Sequence, residues 1–414
     1  MSESSTALES QYAELRAKNL SLDLTRGKPS PAQLDLSNAL LGLPGEGDYR
    51  DAAGTDLRNY GGPDGLIELR QIFSELLAIP VAQLLASGNA SLSVMHDTFV
   101  SALLFGVPGG SGPWRDVQGL SFLCPVPGYD RHFAICEALG IRMIPVPYVG
   151  GVLDLDAIRS LVAADAGIRG MWAVPMYANP TGTSFSVEEV EALVSMPTAA
   201  PDFRLFWDNA YAVHHLTDDE PAVIDVLAAA EVAGNPDRPF VFASTSKITF
   251  PGAGVSFFGS SPSNIAWKKL HTAVQTIGPD KINQLRHVRM LGDAEGVRRL
   301  MRAHRVIVEP RFAAVLEILE RRLSGVATWT TPTGGYFVSL DVPHGAAAAA
   351  VVLAGEIGVS VTPAGSSFPY GDDSDDTNIR IAPTFPSQAD LEAAIDALCT
   401  CVLLAVERMP SPVE

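Results

Sequence analysis

A chain of 414 residues, 47% hydrophobic and 18% charged, is long and apolar enough for one large α/β domain with a smaller companion, which excludes a disordered or fibrous protein. Lys and Arg number 29 against 47 Asp and Glu, and the net charge of −18 speaks against nucleic acid or an anionic membrane surface as a partner. The four cysteines (Cys124, Cys136, Cys399, Cys401) have neither zinc-site spacing nor the density of a disulfide scaffold, so buried thiols in a reducing cytoplasm are expected and no metal site is.

The opening stretch MSESSTALESQYAELRAKNL lacks a basic start followed by an apolar run and predicts a helix instead of a leader. No uninterrupted apolar segment reaches the ~18 residues of a membrane span. The remaining stretch up to Arg70 is weakly periodic and is expected to wrap onto the other parts. From about Leu84 to Ser260 short apolar runs alternate with helical patterns, as parallel βαβ units do. In SLSVMHDTFVSALLF, Leu92, Met95, Phe99 and Leu103 fall on one helical face, and Gly88 and Asn89 open the helix. Strands are expected at Ser121–Val126, Arg142–Pro147, Gly170–Pro175, Arg204–Trp207, Phe240–Ser244 and Val255–Gly259. SVEEVEALV starts with Ser186 and Glu189 in capping-box spacing. A mainly parallel sheet covered by helices gathers its ligands at the carboxyl ends of its strands. Beyond Asp293 a long arginine-rich helix runs to about Ser324, then come short strands in TGGYFVSLDV and NIRIAP and a closing helix from Ser387. The expected division is an N-terminal arm with part of the small domain (1–70), a large domain (71–292) and an α+β C-terminal domain (293–414).

The stretch STSKITFPGAG, 244 to 254, puts Lys247 at the carboxyl end of an apolar strand. Three readings compete for it. It is a solvated loop lysine; or it pairs with Ser244 in the S-x-x-K pattern of penicillin-binding enzymes, whose S-D-N and K-T-G strings do not occur here; or it condenses with the aldehyde of pyridoxal phosphate. That cofactor is an electron sink while its ring nitrogen stays protonated and its phosphate is held. The third reading therefore demands a carboxylate, and Asp208 in RLFWDNAYAVHHL ends an apolar strand, where burial is costly unless a cation meets it. Tyr211, three residues on, and Asn179 in VPMYANPTGTSF can donate to the ring's phenolate oxygen.

YANPTG, WDNAY and STSK in that order, with Lys247 downstream of Asp208 and Arg380 of NIRIAP well downstream of Lys247, resemble the fold type I pyridoxal-phosphate aminotransferases. The wording RGKPS, YGGPDG, GNASLSVMHD, PGYDRHF and IGPDKINQLRHVR is most similar to a bacterial aspartate aminotransferase branch. The resemblance implies a seven-stranded, mainly parallel sheet flanked by helices in the large domain. It also implies that Lys247 carries pyridoxal 5'-phosphate and shuttles a proton, that Asp208 faces the ring nitrogen, and that Asn179 and Tyr211 bind the ring oxygen. By the same resemblance the backbone of Asn89, Ala90 and Ser91 and the hydroxyls of Ser244 and Ser246 meet the phosphate. Tyr129 stacks on the ring, Arg380 clamps the substrate α-carboxylate, Gly27 gives close backbone passage near the substrate, and Tyr60 reaches the phosphate of a neighbouring subunit. Amino acids and 2-oxo acids, with aspartate and 2-oxoglutarate foremost, are then the ligands of a cytoplasmic homodimer with shared active sites. Lys281, Arg286, Arg289, Arg26 and Lys28 are the cations available for a distal carboxylate. One departure stands out: Val255 occupies the position where many relatives carry a phosphate-binding arginine. The same fold also hosts carbon–sulfur lyases and the sensing domains of regulators, although the segment ahead of Gln71 contains no basic winged helix.

Overall fold

The computed structural model describes residues 3–409, so the expected N-terminal helix is seen as Glu3–Ala17, and Met1 and Ser2 lie outside the described residues. The large sheet runs in the order Leu84–Ala86, Ser256–Gly259, Pro239–Ser244, Arg204–Asp208, Ile168–Ala173, Ser121–Val126 and Arg142–Val149, seven strands, with the two-residue Val152–Leu153 folded back as an eighth. The five strands from Pro239–Ser244 to Arg142–Val149 are parallel, and Ser256–Gly259 is antiparallel to both neighbours. Ser121–Val126 and Ile168–Ala173 are buried at every position, which is why they read as continuous apolar runs without alternation. The strand expected at Gly170–Pro175 starts and stops two residues earlier, at Ile168 and Ala173, where its ladder runs from Ile168 opposite Ser121 to Ala173 opposite Trp207. The short Leu84–Ala86 has too few residues to show a period of its own.

Helices bury two separate cores against the two faces of this sheet. On one face Phe73, Ile158, Leu193 and Leu285 come from four helices, and on the other Phe99 of Ser91–Phe105 sits among Phe122, Trp172 and Phe206. The helical face expected from Leu92, Met95, Phe99 and Leu103 is the one that packs, with Met95 and Phe99 fully buried and the outer two partly so. The capping box forms as its spacing requires: Ser186 Oγ accepts from Glu189 N, and Glu189 Oε2 accepts from Ser186 N at 2.8 Å. The second oxygen of Glu189 accepts from Leu153 N, which anchors the small hairpin.

A third core belongs to the C-terminal part. Helix Ala294–Leu323 is capped by Asp293, whose carboxylate accepts from Gly296 N at 2.7 Å, and it packs with Gln388–Arg408 beside a three-stranded antiparallel sheet that contains Val338–Asp341 and Asn378–Ile381. The N-terminal arm joins this core. Tyr12 donates to Leu353 O, and Leu22–Asp23 pairs in parallel with Val359–Ser360. All four cysteines are buried and unpaired, and among the described residues no helix is long and apolar enough to cross a membrane.

Candidate active site

The carboxyl ends of the parallel strands open into one cavity of about 190 Å³. Lys247, Asp208, Tyr211, Asn179, Tyr129, Ala90, Ser91, Ser244 and Ser246 all line it, delivered by five different segments of the chain. Of the residues expected at the cofactor, Asn89 and Tyr60 are outside that wall. Asn89 lies one residue before it with its side-chain oxygen accepting from Gly254 N at 2.8 Å, which ties the helix-opening loop to the lysine loop. Tyr60 is 80% exposed on the outside of the chain.

Asp208 is the last residue of its strand and is buried. Its Oδ2 lies 3.0 Å from His132 Nε2, and its Oδ1 has no partner at all. Leaving a buried acceptor unmet costs about 1–3 kcal/mol, more when it is charged, so the free oxygen at the cavity wall fits a protonated ring nitrogen. His132 is itself fixed by stacking on Trp172, with centroids 4.0 Å apart and planes 2° from parallel, and Trp172 Nε1 donates to Cys136 Sγ. His132 was not singled out from the sequence. Its signal was available in PGYDRHF, where the turn that offers Tyr129 brings His132 round onto the first turn of helix Asp130–Ala138.

Lys247 Nζ stands 4.9 Å from the centre of the Tyr211 ring. Burial pushes its pKa below that of an ordinary lysine while the Asp208 charge opposes the shift, which favours a neutral, nucleophilic amine. Burial likewise holds the Tyr211 hydroxyl well above the usual phenol value, with Tyr129 and Asp208 adding to it, so Tyr211 stays a hydrogen-bond donor. Tyr129 is shifted upward by burial first and then by Asp208 and Asp130, with Arg131 and Arg380 pulling the other way.

At the other end of the cavity, helix Ser91–Phe105 begins with Ala90 as its N-cap, in extended geometry and without a side chain that could cap. A helix whose first-turn N–H groups lack a capping oxygen suits a phosphate. Ser244 Oγ donates to Ser246 Oγ at 3.1 Å, which sets both hydroxyls on the same wall. Val255 is buried with its N–H donating to Thr245 Oγ1, so no cation stands at that position.

Arg380 is buried, with Nη1 donating to Asp130 Oδ1 at 2.9 Å and to Asn179 Oδ1 at 3.5 Å, and Nη2 to Thr362 Oγ1. Its Nε is buried without a partner. The Asn179 contact occupies the amide oxygen and leaves the amide N–H groups for another acceptor. The guanidinium lies 5.2 Å from the centre of the Phe337 ring, and Phe337 in turn explains Gly27: a Cβ there would sit 2.1 Å from Phe337 Cζ. The close passage at Gly27 is thus made to Phe337, the ring that backs Arg380. None of the five distal-carboxylate candidates lines the cavity. Arg289 is bidentate on Asp48, Arg286 donates to Leu43 O, Arg26 faces Asp23, Lys28 stands over Phe385 and Lys281 packs against Gly61.

The family model described as aspartate amino-transferase matches residues 1–411. A provisionally named aminotransferase of Mycolicibacterium smegmatis is 60% identical over 398 residues, 95% of this chain and 93% of its own. An aspartate aminotransferase of Corynebacterium glutamicum is 50% identical over 96% of this chain and 92% of its own. The crystal structure of an aspartate transaminase from that organism superposes with a TM-score of 0.95, at 50% identity, covering 97% of this chain and 95% of the other. The fold extends to the α-aminoadipate aminotransferase LysN of Thermus thermophilus, solved with N-(5'-phosphopyridoxyl)-L-leucine, at a TM-score of 0.74 and 20% identity, covering 96% of each chain.

Proposed function

The chain belongs to the aspartate amino-transferase family, and from that premise we propose that it moves the amino group between aspartate and 2-oxoglutarate. It is a pyridoxal-phosphate aminotransferase acting on small amino and oxo acids. The observation that carries the residue-level reading is the unpartnered Oδ1 of buried Asp208 in the same cavity as the buried amine of Lys247. Pyridoxal phosphate, when bound, supplies the electron sink for charge that develops at the substrate α-carbon.

The chain's own residues do the rest. Lys247 Nζ would hold the cofactor, and its buried amine is the group that would take and return the α-proton. Asp208, steadied by His132, keeps the ring nitrogen protonated, while Tyr211 and the Asn179 amide donate to the ring oxygen. Ala90, Ser91, Ser244 and Ser246 receive the phosphate, with the Asn89 loop braced from Gly254. Tyr129 covers the ring from the cavity wall. Arg380, backed by Phe337 and Gly27, binds the α-carboxylate. The exposed Tyr60 fits a role in the site of a second copy, which makes a homodimer with shared sites part of the reading. Buried unpaired cysteines agree with a cytoplasmic location. The cores on the two faces of the large sheet and the separate C-terminal core support a large and a small domain. Tyr12 and Leu24 of the arm join the C-terminal core, while Leu57, Leu66 and Leu69, and beyond 292 Ala294, Val297 and Met301, join the large one, so the two domains interleave around the boundaries expected at 70 and 292.

Aspartate should bleach the visible band of the holoenzyme and 2-oxoglutarate restore it, with glutamate formed in equal amount. Turnover of aromatic donors or alanine without aspartate would overturn the substrate assignment, and release of pyruvate and ammonia without an oxo-acid acceptor would overturn transamination itself. Arg380→Lys keeps the charge and loses the planar fork, so KM for amino donors should rise about 10- to 100-fold while cofactor absorbance is retained. An unchanged KM would remove Arg380 from the substrate site.

A further inference from the structure

Around the Lys247 carbonyl, outside the cavity's lining, four buried polar side chains converge from four segments distant in sequence: Gln33, His214, His304 and Tyr336. Each is at most 4% exposed. Gln33 belongs to the short helix Pro31–Asp35 that follows RGKPS, and its amide orientation is set by Ser30, whose N–H donates to Gln33 Oε1 at 3.0 Å. The nitrogen end therefore points at His304 Nδ1, 3.0 Å away, and at the Tyr336 hydroxyl, 3.1 Å away. An amide nitrogen only donates. His304 Nδ1 must then be bare and its proton on Nε2, and the Tyr336 oxygen must accept, leaving its own proton for the Lys247 carbonyl, 3.4 Å off. His214 Nε2 lies 3.4 Å from the same carbonyl and must carry its proton there.

Both imidazoles are kept neutral. Burial pushes His214 down to about 3, helped by the charges of Lys247, His304 and His215, and pushes His304 down to about 4 against the Ile248 backbone. The network thus has one consistent direction, from Ser30 through Gln33 and Tyr336 to the peptide from which the Lys247 side chain springs.

We propose that Gln33 is a positioning residue for Lys247, acting through Tyr336: its amide makes the Tyr336 hydroxyl a donor to the Lys247 carbonyl and locks the N-terminal segment that carries Gly27 to the lysine loop. The proposal rests on the reading of Lys247 as the cofactor-bearing amine. It gives Ser30 of RGKPS a purpose, and it explains why a polar pair as far apart as Gln33 and Tyr336 is kept inside an apolar interior, where an unmet group is costly.

Gln33→Glu is isosteric but its carboxylate can only accept, so Tyr336 turns its proton toward residue 33 and the Lys247 carbonyl loses a donor. Tyr336→Phe removes the same donor and keeps the ring. Both variants should lower kcat about tenfold with the donor KM within about twofold of wild type, the size of one hydrogen bond. Both should also shift the pH at which the holoenzyme's visible band changes. In cofactor-free protein labelled with ¹⁵N-histidine, wild-type His304 should show the neutral form with its proton on Nε2, and Gln33→Glu should move a proton onto Nδ1. A kcat, band titration and His304 tautomer all as in wild type would overturn the proposal, as would variants that only melt at lower temperature. Lys247→Ala run in parallel separates the two failures: if it still turns over, the reading of Lys247 is wrong, and if it is inactive while Tyr336→Phe is unimpaired, the positioning role is wrong.

Discussion

Replacing Lys247 by alanine is expected to abolish transamination, lowering kcat about 10⁴-fold or more, because one amine both retains the cofactor and moves the α-proton. The purified variant should bind pyridoxal phosphate reversibly, losing it on dialysis, and a small primary amine fitting the space vacated by the side chain should restore part of the rate. Stability serves as the control. The lysine amine is buried and its pKa is depressed by that burial, so its removal takes away a desolvation cost together with a ring contact to Tyr211, and cofactor-free variant and wild type should unfold within a few degrees of each other. Persistent turnover in a well-folded Lys247→Ala would refute the assignment.

Asp208→Asn should be nearly as damaging to chemistry and harmless to folding. The amide preserves shape and can still accept from His132 Nε2, but it cannot hold a ring nitrogen in its protonated state. Loss of one preorganised charge of this kind should lower kcat about 10²- to 10³-fold. Cofactor affinity should drop about 10- to 100-fold, the range for a charge-assisted hydrogen bond. In the cofactor-free protein the carboxylate's Oδ1 has no partner, so the neutral amide should leave the melting temperature unchanged or raise it. Equal kcat and affinity in wild type and Asp208→Asn would show that the orphan oxygen serves another ligand.

The contrast between His132 and Asp208 shows where legibility in the sequence stops. Asp208 could be found because a carboxylate at the end of an apolar strand is a local anomaly, and the same holds for Lys247 after Phe240–Ser244. His132 is 76 positions from Asp208, in a turn that looks like any helix start, and only the sheet order brings the two together. Asp130 and Arg380, 250 positions apart, meet because the C-terminal part, whose own three-stranded sheet carries Arg380, packs against the large domain. Gly27 was legible as a glycine with a steric purpose, but its neighbour Phe337 belongs to the C-terminal part and could not be named.

The central strands of the large sheet, the long helices, the caps at Ser186 and Ser387, and the placement of Lys247 and Asp208 at strand ends followed from residue order alone, since each depends on periodicity or on neighbours within one turn. Which partner holds each of those groups was decided by tertiary structure. Gln33 finds His304 and Tyr336 across 271 and 303 positions, and Arg286 and Arg289, free cations by sequence, are taken up by Leu43 and Asp48. The physical reason is that hydrogen bonds and charge pairs form wherever packing brings their atoms within about 3 Å, and packing is set by the whole chain's burial of apolar surface.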